Sequence, residues 1–331
     1  MRAFLFFIFS FLFLKASAQF APQAGLPGST AIPASSEEFI GWATHCTIQR
    51  GYMDIANPSL GYASAGDSSL ATGPADNSIV SLGDSGTAVL TFAAPIYNGP
   101  GADFAVFENG FINTANPAQA FLELGFVEVS SDGVNYFRFP ATSLTQTNTQ
   151  IGNGDYIDAS GLNNLAGKYI GMYGTPFDLQ ELSGIAGLDI NSITHVRIVD
   201  VVGSISGHSS HDSAGRVIND PYPTPFASCG FDLDAVGAIH QVATAANNLA
   251  DNITVNVYPN PADDKIMVFV KGALPDGLIA TLSTITGNVL QRLPLLQNTN
   301  TVPVSIYPAG MYYLLLSDAN GNKWVEKVTK H

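Results

Sequence analysis

Short apolar runs of alternating pattern recur along almost the whole chain, each closed off by Gly, Asn, Asp or Pro. No stretch carries the 3.6-residue rhythm of a long amphipathic helix, so buried faces have to be made by strands. Between residues 36 and 242 the clear runs are 78–82, 87–92, 103–108, 121–130, 136–139, 169–173, 195–202 and 231–240. Gly83-Asp84-Ser85-Gly86 and Ser131-Asp132-Gly133 are turn signals between neighbouring runs. Residues 163–167 and 177–182 read as a helical turn or loop. The expectation is all-β: a jelly-roll-like two-sheet β-sandwich, with no internal repeat to suggest a propeller.

The two ends differ from this body. Arg2, an apolar stretch from Phe4 to Leu14 broken only by Ser10, and Ala16-Ser17-Ala18 give residues 1–18 the pattern of a removable secretory signal. Eleven residues are too few to cross a hydrocarbon layer of ~30 Å, so no transmembrane anchor is expected once the signal is removed. Residues 19–250 hold twenty-one acids and five bases, whereas from Asp251 onward acids and bases number six each. That shift across a polar stretch marks a boundary. The expected parts are a signal at 1–18, an acidic body at 19–243, a linker at 244–252 and a second domain at 253–331. An overall charge of −14 repels a phosphate backbone and excludes nucleic acid as a partner.

The tail alternates over 255–258, 266–270, 279–285, 289–295, 302–306, 311–316 and 324–328, about seven short strands of a small Ig-like sandwich. Val257-Tyr258-Pro259-Asn260-Pro261, Thr286-Gly287-Asn288-Val289-Leu290 and Pro308-Ala309-Gly310-Met311-Tyr312-Tyr313 follow one another in order. This set resembles the type A C-terminal sorting domain of the type IX secretion system of Bacteroidetes. The motif positions are Tyr258, Pro259, Asn260, Pro261, Gly287, Gly310 and Tyr312. The resemblance implies Sec export, folding in the periplasm and passage through an outer-membrane translocon that reads this domain. It also implies that the domain is cut off and that the protein ends at the cell surface or released. The body resembles secreted bacterial cell-surface proteins at 98–109, 127–135, 195–200 and 230–236, a family that lends it no activity.

Candidate chemistry in the body is scattered. On a regular strand Asp232 and Asp234 share one face, while Phe231, Leu233 and Ala235 share the other. Asp103 and Glu108 border a second apolar strand. These four carboxylates are candidate Ca²⁺ ligands, for an ion that takes six to eight oxygens. They serve equally well to accept loop amides or to face solvent. His208-Ser209-Ser210-His211-Asp212 is either a transition-metal site or a polar loop. Ala43-Thr44-His45-Cys46 and Gly83-Asp84-Ser85-Gly86 imitate the protease segments around a catalytic His and Ser, but their spacing and flanks point to coincidence. Cys46 and Cys229 are expected to pair in an oxidising compartment, a bridge worth roughly 2–5 kcal/mol, with two buried thiols as the alternative.

Trp42, Tyr97, Phe111, Tyr173, Tyr222 and Phe226 fall in presumed loops. They are candidate platforms for a sugar ring or, equally, plugs for the end of a sandwich. The functional expectation is an exported protein whose body binds glycan or a small neutral ligand, with Ca²⁺ bracing loops. The alternatives are a carboxylate-based hydrolase of extracellular polysaccharide and a purely structural or adhesive component.

Overall fold

The computed structural model describes residues 20–242, 253–285, 288–319 and 322–331. The signal segment, the linker and Gly287 lie outside them. The chain divides into two compact units, Met1–Val242 and Ala243–His331, each with its own apolar core.

The first unit is a sandwich of two antiparallel sheets. One runs in the order Ile32–Pro33, Tyr173–Phe177, Phe104–Glu108, Asp232–Ala238, Gly41–Trp42, with Val80–Ser81 also paired to the Asp232–Ala238 strand. The other runs Phe137–Arg138, Gly125–Ser130, Ile193–Asp200, Thr87–Ile96, His45–Gln49, with Leu165–Ala166 paired to Gly125–Ser130. Alternate residues of both sheets meet between them. Val106, Phe104, Val236 and Leu233 come from the first, and Leu90, Val127, Val196 and Ile198 from the second. Burial of these side chains contributes roughly 1.5–3 kcal/mol each. Helical structure among the described residues is limited to 3₁₀ turns, such as Leu179–Leu182. The all-β sandwich read from the sequence is the fold.

Three local departures shape the site. The run expected at 121–130 is split into Gln119–Phe121 and Gly125–Ser130. Leu122, Glu123 and Leu124 form the break, and the Leu124 N–H donates to buried Asp220 at 3.0 Å. Phe111–Ile112 and Ile157–Asp158 pair with the first fragment, giving a small three-stranded sheet beside the sandwich. The strand expected at 169–173 lies instead at Tyr173–Phe177, where Phe177 enters the core and Tyr169 hydrogen-bonds Thr30. Third, the register of the Asp232–Ala238 strand shifts between Leu233 and Ala235. Such a bulge reverses the alternation. Phe231 and Leu233 face the core, Ala235 joins the outer cluster with Phe107 and Ile239, and Val236 returns inward. Ala235 therefore does not share a face with Phe231 and Leu233.

The expected disulfide is absent: Cys46 and Cys229 are both free and buried. Cys46 lies within the His45–Gln49 strand opposite Leu90, whereas the Cys229 thiol approaches the Tyr52 carbonyl beyond the end of that strand. Six residues separate Cys46 from Tyr52, and the three to Gln49 alone cover about 10 Å, more than the ~7 Å a bridge tolerates between Cα atoms. Burial pushes both thiols up to about 12, so neither is nucleophilic at neutral pH.

The second unit has seven strands among the described residues. Thr254–Tyr258, Lys265–Lys271 and Thr299–Pro303 form one sheet; Val289–Pro294, Ile279–Thr284, Gly310–Ser317 and Lys323–Lys330 form the other. Ile266, Val268, Leu282, Leu314 and Leu316 fill its core. Tyr258 is exposed at the end of its strand and is followed by Pro259 in cis linkage. The Asn260 side chain spans to the last strand through Lys327 O at 2.8 Å and Thr329 N at 2.9 Å. Tyr312 is buried and donates to Pro308 O at 2.6 Å, closing the loop before Gly310. Ala262 inserts between the sheets. Asn260 and Tyr312 thus shape two of the loops of this unit that carry the motif.

Thiol titration of the purified protein is expected to find two free thiols per chain, slow to react when native and fully reactive in denaturant. A chain ended at Val242 is expected to keep a cooperative melting transition for the body yet stay in the periplasm, measured by calorimetry and cell fractionation.

Candidate functional site

A hollow of about 230 Å³ opens where the sheet break meets the start of the Asp232–Ala238 strand. Its walls include Asn109, Phe111, Phe121, Glu123, Thr224, Phe226 and Asp232. Phe111 faces Phe121 across the hairpin, with ring centroids 5.0 Å apart and nearly parallel planes. Phe111 and Phe226 are about half exposed, so each offers an aromatic surface to solvent. Gly110 makes the close approach that seats this hairpin. A Cβ there would stand 2.7 Å from the Phe121 carbonyl oxygen and 3.0 Å from Glu108 Oε2.

Two carboxylates line the same hollow and differ in their support. Asp232 accepts from the Ser81 hydroxyl and, at 3.1 Å, from the Asn109 side-chain amide. Glu123 is only 6% exposed, and no donor among the described residues reaches its carboxylate. Behind them Glu108 accepts the Gly110 N–H at 2.7 Å through one oxygen, while its other oxygen is buried without a partner. Burial raises the pKa of both glutamates well above the usual carboxylate range, and neighbouring acids add to the effect. Those acids are Asp232 and Asp234 around Glu108, and Asp232, Glu108, Asp220 and Asp200 around Glu123.

Two further buried acids, Asp200 and Asp220, position this pair, and a third, Asp84, braces a separate loop. Asp200 accepts Phe231 N–H at 2.7 Å, immediately before Asp232, and Ser85 N–H at 3.0 Å. Asp220 holds Leu124, immediately after Glu123. Asp84 accepts Ile55 N–H at 2.7 Å, and burial pushes it up to about 6. Each captures a main-chain donor that no sheet ladder satisfies.

The sequence candidates sort accordingly. Phe111, Phe226 and Asp232 come together in the hollow. Trp42 packs on Phe39 and Phe107 at 4.8 and 5.5 Å as a plug over the outer sheet face. Tyr97 lies against His240, half-buried Tyr173 sits in a strand opposite Pro33, and the Tyr222 hydroxyl donates to Asp54 at 2.7 Å. The four proposed Ca²⁺ ligands do not converge. Asp103 and Glu108 bracket one strand, about 16 Å apart at the usual rise. Asp103 accepts from Gly99 and Leu179 N–H, both at 2.7 Å, and meets His240 at 2.8 Å. Asp234 accepts Asp76 and Asn77 N–H, both at 3.1 Å. Among the described residues no group of three or more His, Cys, Asp or Glu is disposed to hold a metal.

Asp212 accepts Ser143, Ala214 and Arg216 N–H and pairs with the Arg216 side chain, bracing the loop that carries His208 and His211. His45 lies opposite Thr91, six residues along from Ser85 and about 20 Å away, so the protease-like fragments form no triad. Sequence reasoning missed Asn109, Phe121, Asn153, Thr224 and Ser228 of the hollow, whose residue types carry no signal of their own, and also Glu123. The signal of Glu123 was a lone acid inside an apolar run, Phe121-Leu122-Glu123-Leu124.

These shifts fix the sign of a pH effect. A carboxyl that holds its proton more tightly when folded makes the native state most favourable below its unfolded pKa and progressively less so above it. Asp84 and Asp234, moved from 3.8 to about 6, set the main window. Asp67, Asp132 and Asp212 are shifted downward and act in the opposite sense at lower pH. The body is therefore expected to melt at a higher temperature near pH 4.5 than near pH 7.5. Glu123→Gln is expected to raise the melting temperature at the higher pH, by about 2–4 °C per kcal/mol relieved, as read by calorimetry.

Residues 256–331 match the family described as the secretion system C-terminal sorting domain. Comparison with curated proteins finds no match. Solved structures with similarity include the β-glucuronidase of Ruminococcus gnavus, at 12% identity over 90% of this chain and 46% of that one, TM-score 0.22. The β-1,2-glucanase of Parabacteroides distasonis shares 10% identity over 89% of this chain and 38% of its own, TM-score 0.28. The BSP domain of a biofilm associated protein shares 10% over 89% of this chain and 52% of its own, TM-score 0.22. The chain spans less than half the length of the two enzymes, and overlaps this loose carry no conclusion about the body. No helix among the described residues is long and apolar enough to cross a membrane. The second unit is a secretion system C-terminal sorting domain, and the chain that bears it is exported to the cell surface or the extracellular space.

Proposed function

We propose that the exported body is a carbohydrate-binding module whose ligand occupies the hollow between the Phe111–Phe121 pair and Phe226. The observation that carries this reading is the company these rings keep. Two half-exposed phenyl faces stand beside Asn109, Asn153, Thr224 and Ser228 in one small concavity. The C–H face of a pyranose packs on an aromatic ring while its hydroxyls need donors and acceptors at the rim, which is this combination. A second hollow of about 430 Å³, lined by Gln119, Gln146, Gln150, Asp155 and Tyr156, adjoins the first. Tyr156 meets Phe111 edge-on at 6.4 Å, so the linings of the two hollows touch through this ring pair. The sorting tail delivers such a module to the place where polysaccharide is met, after handling by the type IX machinery.

Hydrolysis is the second reading, favoured by the presence of Glu123 and Asp232 in the same hollow. A glutamic acid whose hold on its proton is strengthened by burial suits proton donation to a leaving oxygen, and a second carboxylate suits the opposite role. Screening the exported protein against a glycan array together with polysaccharide turnover assays separates the readings. Binding without scission supports the module, scission supports the hydrolase, and neither supports a structural or adhesive role. Phe226→Ala is expected to weaken glycan affinity about three- to ten-fold, whereas Trp42→Ala is expected to lower melting temperature and leave affinity unchanged.

A further inference from the structure

The lining of the hollow bears one sign of charge. Glu123 and Asp232 line it, Glu108 lies behind them, and no Lys, Arg or His is among its lining residues. The cation whose charge acts on Asp232 is Arg50, whose guanidinium is committed to the carbonyls of Ala65, Gly66 and Ser81. A carboxylate at 6% exposure that no protein donor reaches is costly, since the little water that touches it repays only part of its desolvation. Glu123 stands in that position and lines an otherwise open cavity. A ligand that brings a stronger donor than water gains from meeting it there.

The neighbours narrow the class of donor. Ca²⁺ takes six to eight oxygens, whereas phenyl rings make up a large part of this wall. An ammonium suits both parts of the wall: it presents three N–H donors to oxygen acceptors, and aromatic faces attract it through their quadrupole. The volume, about 230 Å³, accepts a single sugar ring. Resting on the carbohydrate-binding reading above, we propose that the ligand is an amino sugar with a free amine. Its ammonium is held between Glu123 and Asp232, while its ring packs on Phe111 or Phe226. Glucosamine units of a de-acetylated polysaccharide have this chemistry, and their N-acetylated counterparts do not.

Calorimetric titration of the full exported chain tests this with a glucosamine tetramer, the N-acetylglucosamine tetramer, a neutral glucose tetramer, a hexalysine peptide and CaCl₂. The glucosamine tetramer is expected to bind at least about ten-fold more tightly than either uncharged sugar, and to weaken as salt is raised. Glu123→Gln, which breaks no hydrogen bond of the folded protein, is expected to abolish the preference while leaving weak binding to the neutral tetramer. Equal or better binding of the uncharged tetramers overturns the amine assignment and leaves the carbohydrate reading standing. Hexalysine binding as tightly as the amino sugar overturns the sugar assignment, and CaCl₂ displacing the tetramer from the hollow identifies an ion site instead. If none of the sugars binds, or if Phe226→Ala has no effect on those that do, the carbohydrate reading itself fails. The comparison among sugars uses the unaltered protein, so the outcome does not depend on a variant that folds.

Discussion

Main-chain amides stranded where the chain leaves one sheet for another are captured in the body by carboxylates pulled out of solvent. Asp84, Asp103, Asp200, Asp220 and Asp234 each accept at least one such N–H, and each is buried. Carboxylates make strong acceptors in a poorly polarisable surrounding, provided that the hydrogen bonds repay the loss of water. Five of the twenty-one acids of the body are therefore internal scaffolding. The cleft exists because this scaffolding fixes the backbone on both sides of it, at Leu124 and at Phe231.

The tail was the most legible part. Its seven strands follow the alternation of the sequence, with only Thr299–Pro303 displaced, about three residues earlier than the run of 302–306. Asn298 and Asn300, polar residues that break the apolar pattern, draw that edge strand forward through their side-chain bonds. In the body the longest strands were legible, because their inward residues are β-branched or aromatic at spacing two. Pairs of residues such as Gly41–Trp42 were not, since two residues carry no period.

The site was half legible for a related reason. Phe111, Phe226 and Asp232 drew attention by residue type, but Glu123 lay hidden inside what reads as one uninterrupted strand. Only the tertiary bond from Leu124 to Asp220, ninety-six residues away, shows why the strand breaks there. Cys46 and Cys229 misled in the opposite direction: two cysteines in an exported chain suggest a bridge, yet Cys46 is buried in the apolar core and Cys229 is buried beside the Tyr52 carbonyl, each without one. Trp42 behaved likewise, as its indole belongs to the plug with Phe39 and Phe107.

The extra residue in the Asp232–Ala238 strand has a consequence for how the molecule tolerates change. Upstream of it the outward side serves an open hollow, and downstream the outward side lies under the Phe39–Trp42 plug. A slip of one position, in a strand without this kink, would exchange Leu233 for a carboxylate in the interior. The kink pins the alignment and splits one strand into two mechanically separate neighbourhoods. Side chains that line the hollow at one end can thus drift over generations while the packing at the other end is left undisturbed.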